Sequence, residues 1–145
     1  MVSYKREMAL RRFNYAVASQ KQIKCVSPLN SGFFRKDAIR NFEMVLEAIA
    51  CFKKLQDVCT YIFSQLALLY IDEGNFELSL HVIKEVQGRL GFLQTRLSNP
   101  IKKPFVAKET ILEAYYYAVA RYSESVRNFK TAAQFYTKAF VSSRN

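Results

Sequence analysis

The residues able to do covalent or metal chemistry are few and scattered. His81 is the sole histidine, and Cys25, Cys51 and Cys59 form no Cys-x-x-Cys pair. A transition-metal site needs several such ligands at one point, and a disulfide framework needs an even set, so neither is expected. Asp72-Glu73 reads as a helix-ending turn rather than a general acid/base couple. There is no Gly-rich phosphate loop, Ser/His/Asp set or paired-carboxylate arrangement. No catalytic residue, metal ligand or cofactor is assigned, and the chain is expected not to be an enzyme.

What remains is the chemistry of surfaces. The 145 residues carry a net charge of +10, unevenly spread. Residues 1–36 are strongly basic, 37–88 are acidic on balance, and 89–108 hold cations with no acid. A field polarised in this way favours an acidic partner, although solvated lysines and arginines on an ordinary basic protein would give the same count. Two basic sets stand out: Arg11, Arg12, Lys21, Lys24, Arg35 and Lys36, and the connector cations Lys102, Lys103 and Lys108. The run Tyr115-Tyr116-Tyr117 adds side chains that suit interfaces, with an apolar ring and a polar tip. The spacing of Tyr115 and Tyr116 predicts core packing, which leaves Tyr117 as the groove candidate.

Helices must position these residues. Half of the chain is hydrophobic, with only 4 Gly and 3 Pro, which favours long helices in one domain over 1–145. The first helix is expected over 4–24 and the second over 36–55. Between them Ser27-Pro28 and Asn30-Ser31-Gly32 predict a loop over 25–35, with Phe33 and Phe34 tucked against the core and Asp37 capping the second helix. Residues 58–72 are apolar almost all round, the mark of a central helix. Gly74 predicts a left-handed stop and Asn75 a cap for a helix reaching about Leu97 past Gly88 and Gly91. A basic connector over 98–108 follows, then a helix pair over 110–142 that opens on a Thr110–Glu113 capping box.

Asn41-Phe42, Asn75-Phe76 and Asn128-Phe129 begin similar text three times, 34 and then 53 residues apart. Aligned on them, Leu46, Leu80 and Ala133 share a column, as do Ile49, Ile83 and Tyr136, and Phe52, Val86 and Ala139. Gly74 is the only glycine among these junctions, so that turn is expected to be the tightest. A period of 34 belongs to helix-pair repeats. Phe63, Leu66, Ala67, Tyr70, Gly74, Phe76, Ser79 and Ile83 fall where the tetratricopeptide repeat keeps its aromatic, small and glycine positions. Residues 58–87 thus resemble one good copy. Tyr116, Val119, Ala120, Phe129, Ala132, Tyr136 and Ala139 make 111–140 similar to another, with Ser123 and Arg127 in place of an aromatic and the glycine. The first copy matches only in its second helix, where Lys36 and Arg40 depart from the pattern. The irregular spacing is also similar to the helical-repeat regions of proteasome-lid and COP9-signalosome subunits, although no winged-helix portion follows.

The resemblance implies an all-α fold of about six helices, with antiparallel pairs stacked as a short right-handed superhelix. It also implies a scaffold that docks a partner protein, within a larger complex. Family members that clamp a C-terminal carboxylate use inner-face Lys, Asn and Arg, and only Arg121 matches here, so that clamp is not carried over. A plain six-helix bundle is the competing reading of the fold. For function, the alternative is a basic helical protein holding nucleic acid through phosphates without sequence specificity. Self-association could cover exposed helix ends. No apolar run is long enough to span a bilayer. An intracellular setting, cytoplasmic or nuclear, is expected ahead of a mitochondrial one.

Overall fold

The computed structural model describes residues 2–97 and 106–144, with side chains over 7–91 and 106–144. Among these residues the chain is all-helical, with six α-helices and one 3-10 turn. The helices are α1 (Val2–Ile23), α2 (Pro28–Ile49), α3 (Gln56–Asp72), α4 (Phe76–Leu97), α5 (Lys108–Ser125) and α6 (Phe129–Ser143). They fall into two compact units, Met1–Lys53 and Lys54–Asn145.

The first unit is the α1–α2 hairpin. Small residues let the two backbones approach: Ala9, Ala16 and Ser19 are buried on α1, and Ala38 on α2. Phe42, Val45 and Ile49 fill the rest at helical spacing, and the Phe13 ring meets Phe42 edge-on at 6.0 Å. The loop expected over 25–35 shrinks to 24–27. Ser27 is extended and Pro28 occupies the first turn, where a missing N–H costs nothing, so α2 starts three residues after Cys25. Asn30, Ser31 and Gly32 are therefore helical despite their turn propensity. Phe33 is exposed rather than tucked in, and Phe34 is half-buried. Asp37 lies inside α2 and accepts the Ser19 hydroxyl instead of capping a helix start. The second helix also stops early, at Ile49, with a 3-10 turn over Lys53–Leu55 before α3.

The second unit is built around α3, which packs on both α4 and α5, while α5 also packs on α4 and α6. Its all-round apolarity is matched by burial of Cys59, Ile62, Leu66, Ala67, Leu69, Tyr70 and Ile71. The buried hydroxyls of Thr60 and Ser64 donate to the carbonyls of Gln56 and Thr60, so they enter the core without an unmet donor. Ser79, fully buried on α4, donates across to the Ala67 carbonyl at 2.9 Å.

Gly74 takes φ +80° and the Asn75 side chain accepts the Leu78 N–H, as the sequence predicts. Gly88 and Gly91 are absorbed within a continuous α4. Two starts differ from expectation. α3 opens at Gln56, ahead of the apolar run over 58–72, and α5 begins at Lys108 after an extended Ala107 that offers no side-chain cap. Of the three Asn-Phe echoes, Asn41-Phe42 is not a junction at all. It lies inside α2, where Asn41 Nδ2 donates to the Asp37 carbonyl.

Candidate functional site

The two true junctions are wired alike. After α3, the N–H groups of Glu73, Gly74 and Asn75 donate to the carbonyls of Leu69, Ile71 and Tyr70. After α5, those of Val126, Arg127 and Asn128 donate to Tyr122, Glu124 and Ser123. Each bond of the second set lies 53 residues on from its counterpart. The six-residue bond into Asn75 or Asn128 is the Schellman closure, which requires a left-handed residue just before it. Gly74 supplies that residue in the first turn, and Arg127 does so at φ +64° in the second. The Arg127 turn is thus as tight as the glycine turn, contrary to the expectation from composition. Asn128 then caps α6 by accepting the Thr131 N–H.

Beside this second junction, the structure brings together two of the sequence-predicted candidates. Arg121 Nη2 on α5 donates to Asp72 Oδ1 at the end of α3, at 3.0 Å. Tyr117, one turn earlier on α5, also favours the charged guanidinium. Burial alone would lower the Arg121 pKa, but Tyr117 and Asp72 outweigh it and the net shift is upward. The Tyr117 ring meets Tyr136 on α6 at 5.8 Å, and Tyr136 donates to Glu124 at 3.2 Å. Burial and then the Glu124 charge raise the Tyr136 pKa. The result is a partly exposed polar–aromatic surface over the α5–α6 pair. Tyr115, by contrast, is buried, and Tyr116 is half-buried against Phe135, with Lys138 above both of those rings.

The basic candidates of the first unit are not equivalent. Arg11, Lys21, Lys24 and Lys36 are exposed. Arg12 is turned inward, with Nη1 3.3 Å from the Met44 sulfur, and Arg35 is half-buried. Lys102 and Lys103 lie outside the described residues, and Lys108 forms the first turn of α5. His81 is exposed. Among the described residues no cluster of three or more His, Cys, Asp and Glu could hold a metal, and no helix is long and apolar enough to cross a membrane. Cys25 and Cys51 are exposed, whereas burial pushes the Cys59 thiol up to about 11.

Sequence reasoning missed three features. Asp57 is buried in the first turn of α3, where its carboxylate accepts the N–H groups of Val58 and Val106. That contact ties the start of α3 to the segment leading into α5. Arg89 on α4 donates to Gln56 and lies 4.9 Å over the Phe63 ring. Finally, α6 leaves Phe129, Phe140 and Val141 in solvent. Their type and spacing were visible in the sequence, but only the packing order shows that within the second unit the described helices leave them open.

Compared with known protein families, curated proteins and solved structures, the chain finds no match.

Proposed function

We propose that this chain is a non-enzymatic helical-repeat module that docks a partner protein, its helix pairs stacked in a short right-handed superhelix of the tetratricopeptide type. The observation that carries the reading is the pair of junctions with identical backbone hydrogen bonding, 53 residues apart. Identical turns support reading α3–α4 and α5–α6 as two copies of one unit, and α5 packs on both α3 and α4. That is how stacked repeats share a continuous core while leaving side chains such as Tyr117 and Arg121 on a surface.

The exposed cations Arg11, Lys21, Lys24 and Lys36 favour a second reading, nucleic-acid binding through phosphates. One pair of measurements separates the two. The intact protein is titrated with a generic oligonucleotide at low and at moderate salt, and its stoichiometric protein partner is sought by crosslinking in source cells. Docking predicts a crosslinked protein of fixed stoichiometry and no oligonucleotide binding. Oligonucleotide binding that collapses with salt, with no crosslinked protein, would replace the docking reading with the second.

A further inference from the structure

Between Glu7 and Asp37 the chain holds no acid, and its charged residues there are Arg11, Arg12, Lys21, Lys24, Arg35 and Lys36. The α1–α2 hairpin gathers three of these lysines at its turn end. Contacts of Arg12 with Met44, Phe13 with Phe42 and Ser19 with Asp37 fix the antiparallel register of the two helices. That register sets Lys24 level with Gly32 and Lys21 level with Arg35, in the same band as Lys36. Lys21, Lys24 and Lys36 are all exposed.

The same end carries apolar side chains that folding leaves in water. Leu29 is 95% exposed and Phe33 71% exposed. They stand at i and i+4 on α2, and the exposed Lys36 and Arg40 continue that stripe at i+7 and i+11. The stripe lies away from the face that buries Ala38, Phe42, Val45 and Ile49. Phe33 is held edge-on to the half-buried Phe34, with ring centroids 5.4 Å apart. Beyond Arg40 the stripe turns acidic, with Glu43 and Glu47 exposed. Asp37 is the one acid nearer the turn, and it is half-buried and accepts the Ser19 hydroxyl, so it faces α1.

The order of groups along the helix axis selects the occupant. Measured from Leu29, Phe33 lies about 6 Å along α2, Lys36 about 10 Å, Arg40 about 16 Å and Glu43 about 21 Å. Apolar, then cationic, then anionic is the order that suits a bilayer bearing anionic lipid. Apolar side chains enter the acyl boundary, cations stop at the phosphates, and carboxylates stay out in water. A nucleic acid would use the lysines but leave Leu29 and Phe33 in solvent. A protein groove that takes a helix needs apolar anchors at four successive stations, and here the third and fourth are Lys36 and Arg40.

We propose that the turn end of the α1–α2 hairpin is a membrane-binding tip, which inserts Leu29 and Phe33 into the interface of an anionic bilayer while Lys21, Lys24 and Lys36 meet its headgroup phosphates. The hairpin enters one leaflet end-on. Two apolar side chains are too few to hold a protein on a neutral bilayer, so binding requires anionic lipid. The inference stands on the first unit alone, and its failure leaves the docking reading intact.

The chain has no tryptophan, so Phe33→Trp puts a sole indole at the tip and Glu47→Trp puts one at the acidic end of the same stripe. The probes are vesicles of phosphatidylcholine alone and of phosphatidylcholine with about one third phosphatidylserine. On the anionic vesicles the Phe33→Trp indole is expected to shift its emission to the blue and to be quenched by lipids brominated on their acyl chains. The Glu47→Trp indole is expected to do neither. Flotation of the whole wild-type chain is expected to show binding about tenfold or more tighter to anionic than to neutral vesicles. Leu29→Ser with Phe33→Ser should weaken it about tenfold, and Lys21→Glu, Lys24→Glu and Lys36→Glu together should remove the preference, with thermal unfolding unchanged in both. No binding to anionic vesicles, equal binding to the two compositions, binding that ignores either variant, or the same response from both indoles overturns the proposal. So does a generic oligonucleotide that binds more tightly than the anionic vesicles, because the lysines then serve nucleic acid. Self-association in sedimentation that the serine variant abolishes overturns it as well, because a second copy then covers the tip.

Discussion

The α3–α4 and α5–α6 pairs share a turn, a cap and a helical frame, yet they differ in what lies on them. The first pair is covered by α5 and buries Ile62, Leu66, Ile83 and Val86. In the second, the aligned positions of α6 hold Tyr136 and Ala139, and Phe140 reaches solvent. The same local wiring therefore gives a structural core in one place and an available surface in the other. The difference is one of packing order, and local sequence does not contain it.

The sharpest way to break this contrast is to truncate apolar side chains in both pairs. Ile62→Ala or Leu66→Ala removes fully buried atoms and leaves a cavity, so each is expected to lose about 2–5 kcal/mol in urea unfolding. Phe140→Ala is expected to change stability by no more than about 0.5 kcal/mol, because the ring already meets water. A loss at Phe140 comparable to that at Leu66 would mean that Phe140 is part of the core in solution.

Asp57 comes next. Asp57→Ala strips the carboxylate from two N–H groups, that of Val58 in the first turn of α3 and that of Val106, which precedes α5. A charged acceptor at a helix start is expected to be worth about 2 kcal/mol here, from its hydrogen bonds and the helix dipole together. Thr110→Ala, at the equivalent place in the open pair, is expected to change stability by less than about 0.5 kcal/mol. Amide exchange at Val106 separates the grip from a general loss of stability. It should accelerate in Asp57→Ala beyond the change in the slowest core amides.

The covered core also carries the alkaline response. The folded Cys59 pKa stands near 11 against an ordinary 9.0, because burial penalises the thiolate. The folded chain thus keeps a proton that the unfolded chain releases between these values. Stability is full below about pH 9 and falls as pH rises toward 11, by about 2 kcal/mol in all. Tyr61 and Tyr115, also raised by burial, add to the loss above pH 10 with the same sign. Cys59→Ser or Cys59→Ala should flatten the slope between pH 9 and 11. In native buffer at pH 8, a thiol reagent is expected to modify Cys25 and Cys51 promptly and Cys59 only on unfolding.

Much of the helical frame was legible in residues. The all-round apolarity of 58–72, the Gly74 stop and the Asn75 cap locate α3 and α4 because each signal is local and chemically specific. The misreadings share one cause, which is that local propensity was outvoted. Pro28 starts a helix as readily as it ends one, and the pairing of α2 with α1 drew Asn30, Ser31 and Gly32 into that helix. Asn41-Phe42 imitates a junction because a buried phenylalanine after an asparagine is also ordinary mid-helix text. The candidate site was half visible. Tyr117 declared itself by spacing and Arg121 by the repeat resemblance, but Asp72 and Tyr136 joined them only through tertiary packing. The grip of Asp57 spans 49 residues in sequence and had no local signal.

The smallest effect tests the equivalence of the two turns most directly. Gly74 at φ +80° and Arg127 at φ +64° occupy the same station in the same hydrogen-bonded closure. A Cβ added at Gly74 would meet no atom within 4 Å, so the penalty for Gly74→Ala is purely one of backbone conformation, about 1 kcal/mol. At Arg127 the penalty is already present in the wild type. Arg127→Gly removes it, and the greater freedom of glycine in the unfolded chain offsets part of the gain. The net expectation is a stabilisation of about 0.5 kcal/mol. Opposite signs from reciprocal changes at positions 53 residues apart require one backbone geometry at both turns. Should Arg127→Gly destabilise instead, the arginine side chain would be supplying an interaction that outweighs its strain, and the α5–α6 turn would then be a distinct structure rather than a second copy of the first.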